Sequence, residues 1–546
     1  MSRRSIAGVA LAQFIVLVSI CLLIGDNGWD DGAITLAFSR TFARYGRVAL
    51  TPRSEIVEGF SSVSWFSINA LAALARLSFR ATIVVAQILS ALCICATTVL
   101  LARTCAFLRF DRLFATLTVI AFAAWGCSFS EAGNGMEMGL LAAAFLIVIN
   151  ELLSPQPRMW CLGAGVVLAV TTRFEAVFYV ALLALSVLTV PGRRAFWGIV
   201  LSCLGAVLLL SGWRLALFSD VLPNTFWAKR WPPYAGFGLL DRVLGLLELP
   251  SFFLPPLIGL AIARRSGFDL TGAWRSQRRA ALILAAPILG AVLMGALIGR
   301  HWGYRGRMPY FAFPPALLAA ALMLSAWVNA QRTRFRVRAA VGLFVGAIAT
   351  SMMGFPSGAL AAALEGGAFG VTPHTYAESG RIFRHFLSAA GLPRATVLTS
   401  DVGGLALCCD ELRIVDLGLL SNRELAHRGP PALEQVLQAE SPELVEAHWQ
   451  WASSGKLYDL PYFHARYAPA FGDRTKLWLR RDVADTIERN GQGCWLSPGR
   501  ADLREALRTH RYADHDSPED RRSFELPGTV FVLDSGDASA GRLCNK

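Results

Sequence analysis

The chain has 546 residues, 54% of them hydrophobic and only 17% charged, with 52 Lys and Arg against 39 Asp and Glu. Soluble domains carry roughly 25% charged residues, so a mean hydropathy of +0.46 excludes an ordinary soluble protein, and equally a disordered or collagen-like chain. The composition is that of a polytopic α-helical membrane protein.

In chain order, apolar stretches long enough to be considered as spans fall near residues 5–25, 82–102, 113–130, 136–153, 159–172, 174–191, 195–217, 250–263, 280–299, 309–328 and 339–358. A further stretch, 60–78, would reverse the orientation of everything after it. The positive-inside rule decides the matter. With 60–78 left as a juxtamembrane helix, Arg3 and Arg4, Arg103, Arg109 and Arg112, Arg193 and Arg194, and the Arg groups at 264–279 and 332–338 share one side. That side is then the cytoplasm, and eleven spans place the C-terminal region outside. Residues 1–25 carry no A-x-A cleavage site and stay as the first span.

The net charge of +13 is therefore a topology signal rather than a nucleic-acid groove, and no nucleic-acid partner is expected. Four of the cations are Lys, at 229, 456, 476 and 546, and the rest are Arg. Beyond residue 370 the composition turns soluble. Strand-length apolar runs at 397–407, 412–420 and 442–451 alternate with helical stretches such as 378–391, predicting an extracytoplasmic α/β domain over 370–546 behind a membrane domain over 1–360. Residues 26–81 form the first extracytoplasmic loop, with juxtamembrane helices. Adjacent Cys408 and Cys409 are poorly placed to bridge each other, which leaves disulfides to Cys494 and Cys544, or buried thiols, as the alternatives.

Polar residues gather at the outer ends of the spans. Asp30 and Asp31 head an amphipathic helix, where a carboxylate serves as a general base, a metal ligand or a helix cap. Arg40, Arg44 and Arg47 share one face of that helix, suited to phosphate, to anionic headgroups or simply to solvent. Glu55, Glu58, Asn134, Glu137, Arg173, Glu175, Asp220, Asn224, Lys229, His301, Arg305 and Arg307 recur on the same side. Ionisable groups at membrane depth are functional candidates or interhelical salt bridges. Trp65, Trp227, Trp231 and Trp302 suit an interfacial aromatic belt first and sugar stacking second.

The stretch DDGAITLAFSRTFARYGRVALTPRSEIVEGFSSVSW (30–65), with GNGME, TRFE, LPNTFWAK and SDVGGLAL followed by RIVDLGLL, resembles the membrane glycosyltransferases of the GT-C fold. It looks closest to terminal arabinofuranosyltransferase B of the mycobacterial cell envelope and its relatives. Where those relatives carry GGDxMxxxR, this chain has RHWGYRGR, so Arg307 matches and the Asp is replaced by Trp302. The resemblance implies transfer of a sugar, arabinofuranose first, from a polyprenyl-phosphate donor to a glycan or glycoprotein acceptor outside a bacterial inner membrane. Transfer of mannose or another sugar is the second implication. A non-enzymatic transporter shares the composition but would favour internal repeats and midplane sites.

By role, Asp30 or Asp31 is the catalytic carboxylate, with Asp30 first. Arg173, Lys229 and Arg307 meet the donor phosphate, and Glu58, Glu137, Glu175, Asn224 and His301 meet sugar hydroxyls or orient the cations. No nucleotide-binding glycine loop is present, as a lipid-linked donor requires none. A divalent metal is left open, and no resident cofactor is assigned.

Overall fold

The computed structural model describes residues 2–188, 193–232, 234, 264, 277–298, 307–330, 337–338, 341–342, 372–446, 449–471, 477–497, 530–533 and 544. The expected spans at 250–263 and 339–358, and His301, Trp302 and Arg305, lie outside these residues.

Capping residues set the helix starts. Helix α1 (Arg3–Ile24) is followed by α2 (Asp30–Tyr45), which ends at Gly46 in the left-handed conformation that suits glycine. Ser62 opens α3 (Val63–Ala73) by accepting the Trp65 N–H, and Ser78 likewise opens α4 (Phe79–Phe107). Asp111 caps α5 (Arg112–Ala123), and α6 (Gly126–Gly133) follows it at a 41° bend. Then come α7 (Met138–Leu153), α8 (Met159–Thr172), α9 (Ala176–Leu188), α10 (Arg193–Phe218), the short α11 (Asn224–Ala228), α12 (Arg278–Ile298) and α13 (Phe313–Ala330).

This is a polytopic helical membrane protein. Among the described residues, five helices are long and apolar enough to cross a bilayer, or six if α5 and α6 form one broken span. Helices α7, α8 and α9, expected as spans, are apolar but only 16, 14 and 13 residues long. A helix needs about 20 residues to cross the hydrocarbon core, and the apolar stretches 136–153 and 159–172 are already shorter than that in the sequence; α7 and α8 match them to within two residues. Helix α3, with 11 residues, fits the juxtamembrane reading of 60–78.

The C-terminal region is α/β. Helix α14 (Pro373–Ala389) precedes a seven-stranded mixed sheet in the order β2-β1-β3-β5-β4-β7-β6, formed by Thr396–Thr399, Arg413–Asp416, Leu444–Glu446, Tyr467–Phe471, Leu477–Arg480, Gly493–Leu496 and Val530–Leu533 as β1 to β7. Strands β1, β2 and β3 run parallel, so the carboxyl ends of β1 and β2 lie side by side with Thr399 opposite Asp416. Helix α15 (Gly403–Cys408) follows β1, and α16 (Arg423–Arg428) follows β2.

The first loop and the soluble region share one apolar core. Ala33, Leu36, Phe38, Val57 and Phe60 pack with Phe383, Val402, Leu405 and Ile414, and Ile83 and Phe218 from the spans join them. Each fully buried side chain of this size contributes about 1.5–3 kcal/mol relative to exposure. Loop and soluble region are thereby one packed unit, which fixes whatever side chains line the seam.

Cys408 and Cys409 are bonded to each other, against the expectation for adjacent cysteines, and Cys494 is bonded to Cys544. Helix α15 ends at Cys409, which turns both sulfurs toward Gly380; a Cβ there would lie 2.6 Å from one sulfur and 2.7 Å from the other.

Candidate active site at the seam

The start of α2 is pressed onto the GNGME turn. The Trp29 N–H donates to Asn134 Oδ1 at 2.8 Å, and a Cβ on Gly32 would lie 2.5 Å from the Asn134 carbonyl oxygen, so the glycine of the DDG motif is needed for the close approach. Trp65, fully buried, donates its indole N–H to the Gly135 carbonyl at 3.0 Å. It braces the turn from inside the protein rather than sitting in an aromatic belt. The turn in turn orients Glu137 at the head of α7.

The two adjacent aspartates diverge, because successive helical positions point about 100° apart. Asp30 is buried, and its two oxygens accept the backbone N–H groups of Gly403 at 3.0 Å and Gly404 at 2.7 Å. It therefore caps α15 of the soluble region from across the seam. Burial, reinforced by the charges of Asp401 and Asp31 and opposed by the two amide bonds, pushes its pKa up to about 8. Asp31 keeps a 39% exposed side chain and binds Arg307 Nη1 through Oδ2 at 2.9 Å. Asp30, placed first in the sequence reading, thus has both oxygens engaged, whereas the Asp31 side chain is the more exposed of the two.

From Asp31 a chain of ion pairs runs inward. Arg307 Nη2 lies 4.0 Å from Glu137 Oε1, the same oxygen accepts from Arg173 Nη1 at 2.7 Å, and Arg173 Nε reaches Glu175 Oε1 at 2.8 Å. Arg173 and Glu137 are buried, Arg307 is 12% exposed and Glu175 22%. Lys229, just beyond α11, completes the group; its backbone N–H caps that helix, and its ammonium forms no hydrogen bond or ion pair with the described residues. Its ammonium is reached by solvent yet walled by protein; that desolvation, with Arg173 and Arg307 nearby, lowers its pKa to about 8 against the pull of Glu175 and Asp31.

Six of the residues singled out in the sequence are therefore one electrostatic unit of three carboxylates and three cations. Buried members neutralise each other, and Asp31 and Lys229 are the members that solvent reaches most. Such a set can hold a dianionic or monoanionic phosphate against Lys229 and the arginines while a carboxylate stands by to accept a proton.

Other expected residues serve elsewhere. Glu58 is locked in a buried bidentate pair with Arg214, at 2.6 Å to Nε and 3.0 Å to Nη2, and Arg214 also lies over the Phe174 ring at 5.6 Å. Asn224 donates to the backbone carbonyls of Leu419, Leu420 and Asn422, tying α11 to the loop after β2. Arg40 is buried as well; it pairs with Asp410 and donates to the Ala406 and Leu407 carbonyls at the end of α15, so it is lost to any external anion. Trp231 donates to the Ala426 carbonyl at 2.9 Å, and Trp227 stacks on His427 at 4.9 Å.

Sequence reading missed Arg214 and the pair between His427 and Asp220 at 2.7 Å. Arg214 sits four residues from the end of a long apolar span, and that position was its one visible signal. Asp416, the last residue of β2, accepts from the Gly418 and Ser421 N–H groups and the Ser421 hydroxyl, and the Gly418 carbonyl accepts from Tyr234 at 3.0 Å. Among the described residues no group of three or more His, Cys, Asp or Glu is arranged to hold a metal ion.

No family model and no curated protein matches the chain. Among solved structures it is similar to ArnT from Cupriavidus metallidurans in the apo state, with 14% sequence identity and a TM-score of 0.48 over 87% of this chain and 96% of that one.

Proposed function

We propose that the protein is a membrane glycosyltransferase of the GT-C type that takes its sugar, arabinofuranose first, from a polyprenyl-phosphate donor and adds it to a glycan acceptor on the soluble-domain side, outside the cytoplasm. The observation that carries this reading is the juxtaposition, at the mouth of the seam, of the unpaired Lys229 ammonium with the exposed Asp31 carboxylate, both backed by the Arg173–Glu137–Arg307 network. The quoted sequence motifs supply the sugar and lipid class.

In this reading the acceptor hydroxyl oxygen forms the new bond to the anomeric carbon, and the bond from that carbon to the donor phosphate oxygen breaks. The electron pair leaves with the phosphate, where Lys229 and Arg307 stabilise the charge with buried Arg173 behind them, and the hydroxyl proton passes to Asp31. Glu137 and Glu175 hold the arginines in place. A lipid donor enters sideways from the bilayer, which places the site at the spans' ends, and the acceptor approaches from the soluble domain.

The test is a donor panel. Purified protein in nanodiscs is given polyprenyl-phosphate arabinofuranose, mannose or glucose, each labelled in the sugar, with oligosaccharide acceptors. Transfer from the arabinofuranosyl donor is expected; transfer from the mannosyl donor alone would replace the sugar assignment, and no turnover with any of the three would reject the enzyme reading.

A further inference from the structure

Three separate segments meet where α4 enters the membrane. Arg44, in the last turn of α2, donates through Nη2 to the Leu77 carbonyl at 3.3 Å, so the end of α2 lies beside the turn that joins α3 to α4. The Arg80 side chain lies against Gly25, the C-cap of α1; a Cβ on Gly25 would fall 3.1 Å from Arg80 Nη2. The ends of α1 and α4 are thus level, and the α2 and α3 termini sit at that same height.

The surface they form is both apolar and basic. Leu71 and Leu74 are 71% and 62% exposed, the most open of the large apolar side chains in the loop, and Phe42 and Tyr45 are exposed beside them. Four guanidinium groups rim this patch. Arg47 and Arg76 are exposed, the latter at φ 49° in the tight turn after α3, and Arg44 and Arg80 complete the rim. Of the four, Arg44 has Asp410 at 3.9 Å, but Arg40 already holds one oxygen of that carboxylate and the other accepts the Tyr45 hydroxyl at 3.1 Å. The patch therefore keeps a surplus of positive charge over exposed aliphatic side chains, directly continuous with the first turn of a span.

We propose that this surface is a docking site for anionic phospholipid headgroups of the leaflet beneath the soluble domain, with Leu71 and Leu74 resting in the acyl boundary and Arg47 and Arg76 on the phosphates. Exposed apolar residues rimmed by cations at the headgroup level match an anionic bilayer surface in both components. A soluble polyanion would satisfy the arginines and leave the leucines in water. The consequence is mechanical: Asp410 and α15 hang from α2 through Arg40, and α2 leads back to Asp31, so lipid contact at the far end of α2 steadies the helix that carries the site's exposed carboxylate.

Native mass spectrometry of the full chain, released from nanodiscs of mixed phosphatidylglycerol and phosphatidylcholine, tests this without reference to any enzymatic activity. The wild-type chain is expected to retain phosphatidylglycerol in preference, with the preference declining as salt rises. The R47Q/R76Q variant should lose about fivefold in that preference for each cation removed, and L71S/L74S should retain fewer lipids of both kinds. A wild-type chain with no headgroup preference, or a folded R47Q/R76Q chain with an unchanged one, would overturn the proposal. Should the arginine variant fail to fold, the salt dependence of the wild type decides.

Discussion

Two buried acidic stations lie within a few turns of one another and do opposite things with their charge. At Glu58 the carboxylate meets a single guanidinium, Arg214, in a pair 2% and 3% exposed that solvent does not reach. At Glu137 one oxygen is shared between Arg173 and Arg307, and the network continues outward to Asp31 and Lys229, which remain open to solvent. A buried pair holds the fold together; a chain of pairs that ends in solvent-reached charges leaves those charges available, as the proposed donor site requires. The same contrast divides neighbours in sequence, since Asp30 is spent on the Gly403 and Gly404 amides and Asp31 is not.

The sharpest way to break the comparison is to open the buried pair. Arg214→Met leaves Glu58 buried without its partner, and removing one member of a buried pair costs about 3–5 kcal/mol. The expected result is a large fall in the thermal midpoint of the purified protein, partly reversed when Glu58→Met is added. A midpoint within a degree of wild type would mean that Glu58 reaches water and that the pair is not buried.

Asp30→Asn comes next. Asn puts an NH2 group, which cannot accept, where one Asp30 oxygen accepts, so one of the two glycine N–H groups loses its acceptor, a cost of about 1–3 kcal/mol. The pH dependence has a definite sign. With a folded pKa near 8 against an ordinary 3.8, the native state holds a proton that the unfolded chain has lost across that window, so Asp30 makes stability decline as pH rises from about 4 to about 8. Thermal melts at pH 5 and pH 8 should show this decline in the wild type and a flatter profile in Asp30→Asn; parallel slopes would contradict the burial that raises the pKa of Asp30.

The smallest expected effect concerns Lys229. With its pKa lowered to about 8, the ammonium is largely charged at pH 7 and largely neutral at pH 9. Affinity for a polyprenyl-phosphate donor should therefore fall about tenfold over that interval, since the charged fraction falls by about that factor, and Lys229→Arg should hold it nearly level. Unchanged affinity in the wild type would remove Lys229 from the donor site.

Much of the site was legible in the sequence because ionisable residues at the ends of apolar stretches have few reasons to be there. Asp31, Glu137, Arg173, Glu175, Lys229 and Arg307 were all visible on that ground, and they do come together. What a linear reading could not separate was partner choice. Asp30 and Asp31 are neighbours with identical chemistry, and only the arrival of α15 from hundreds of residues away assigns one to structure. Glu58 and Asn224 looked equally functional until Arg214 and the loop after β2 claimed them. The fold class followed from composition, and so did the helical segments of α7 and α8, which match the apolar stretches 136–153 and 159–172 to within two residues. The bond between Cys408 and Cys409 depended on the space at Gly380, which has no signature in the local sequence.

The central claim is that Asp31, and not Asp30, does the chemistry, and it is tested most directly by measuring turnover in Asp31→Asn and Asp30→Asn side by side with donor binding and thermal midpoint. The account predicts that Asp31→Asn loses about 10³-fold in turnover, in the range for removing a general base, while donor affinity and midpoint stay near wild type. Asp30→Asn should lose stability and retain most of its turnover at temperatures where it is folded. If Asp30→Asn abolishes turnover in a fully folded protein while Asp31→Asn remains active, the assignment of the two aspartates is contradicted.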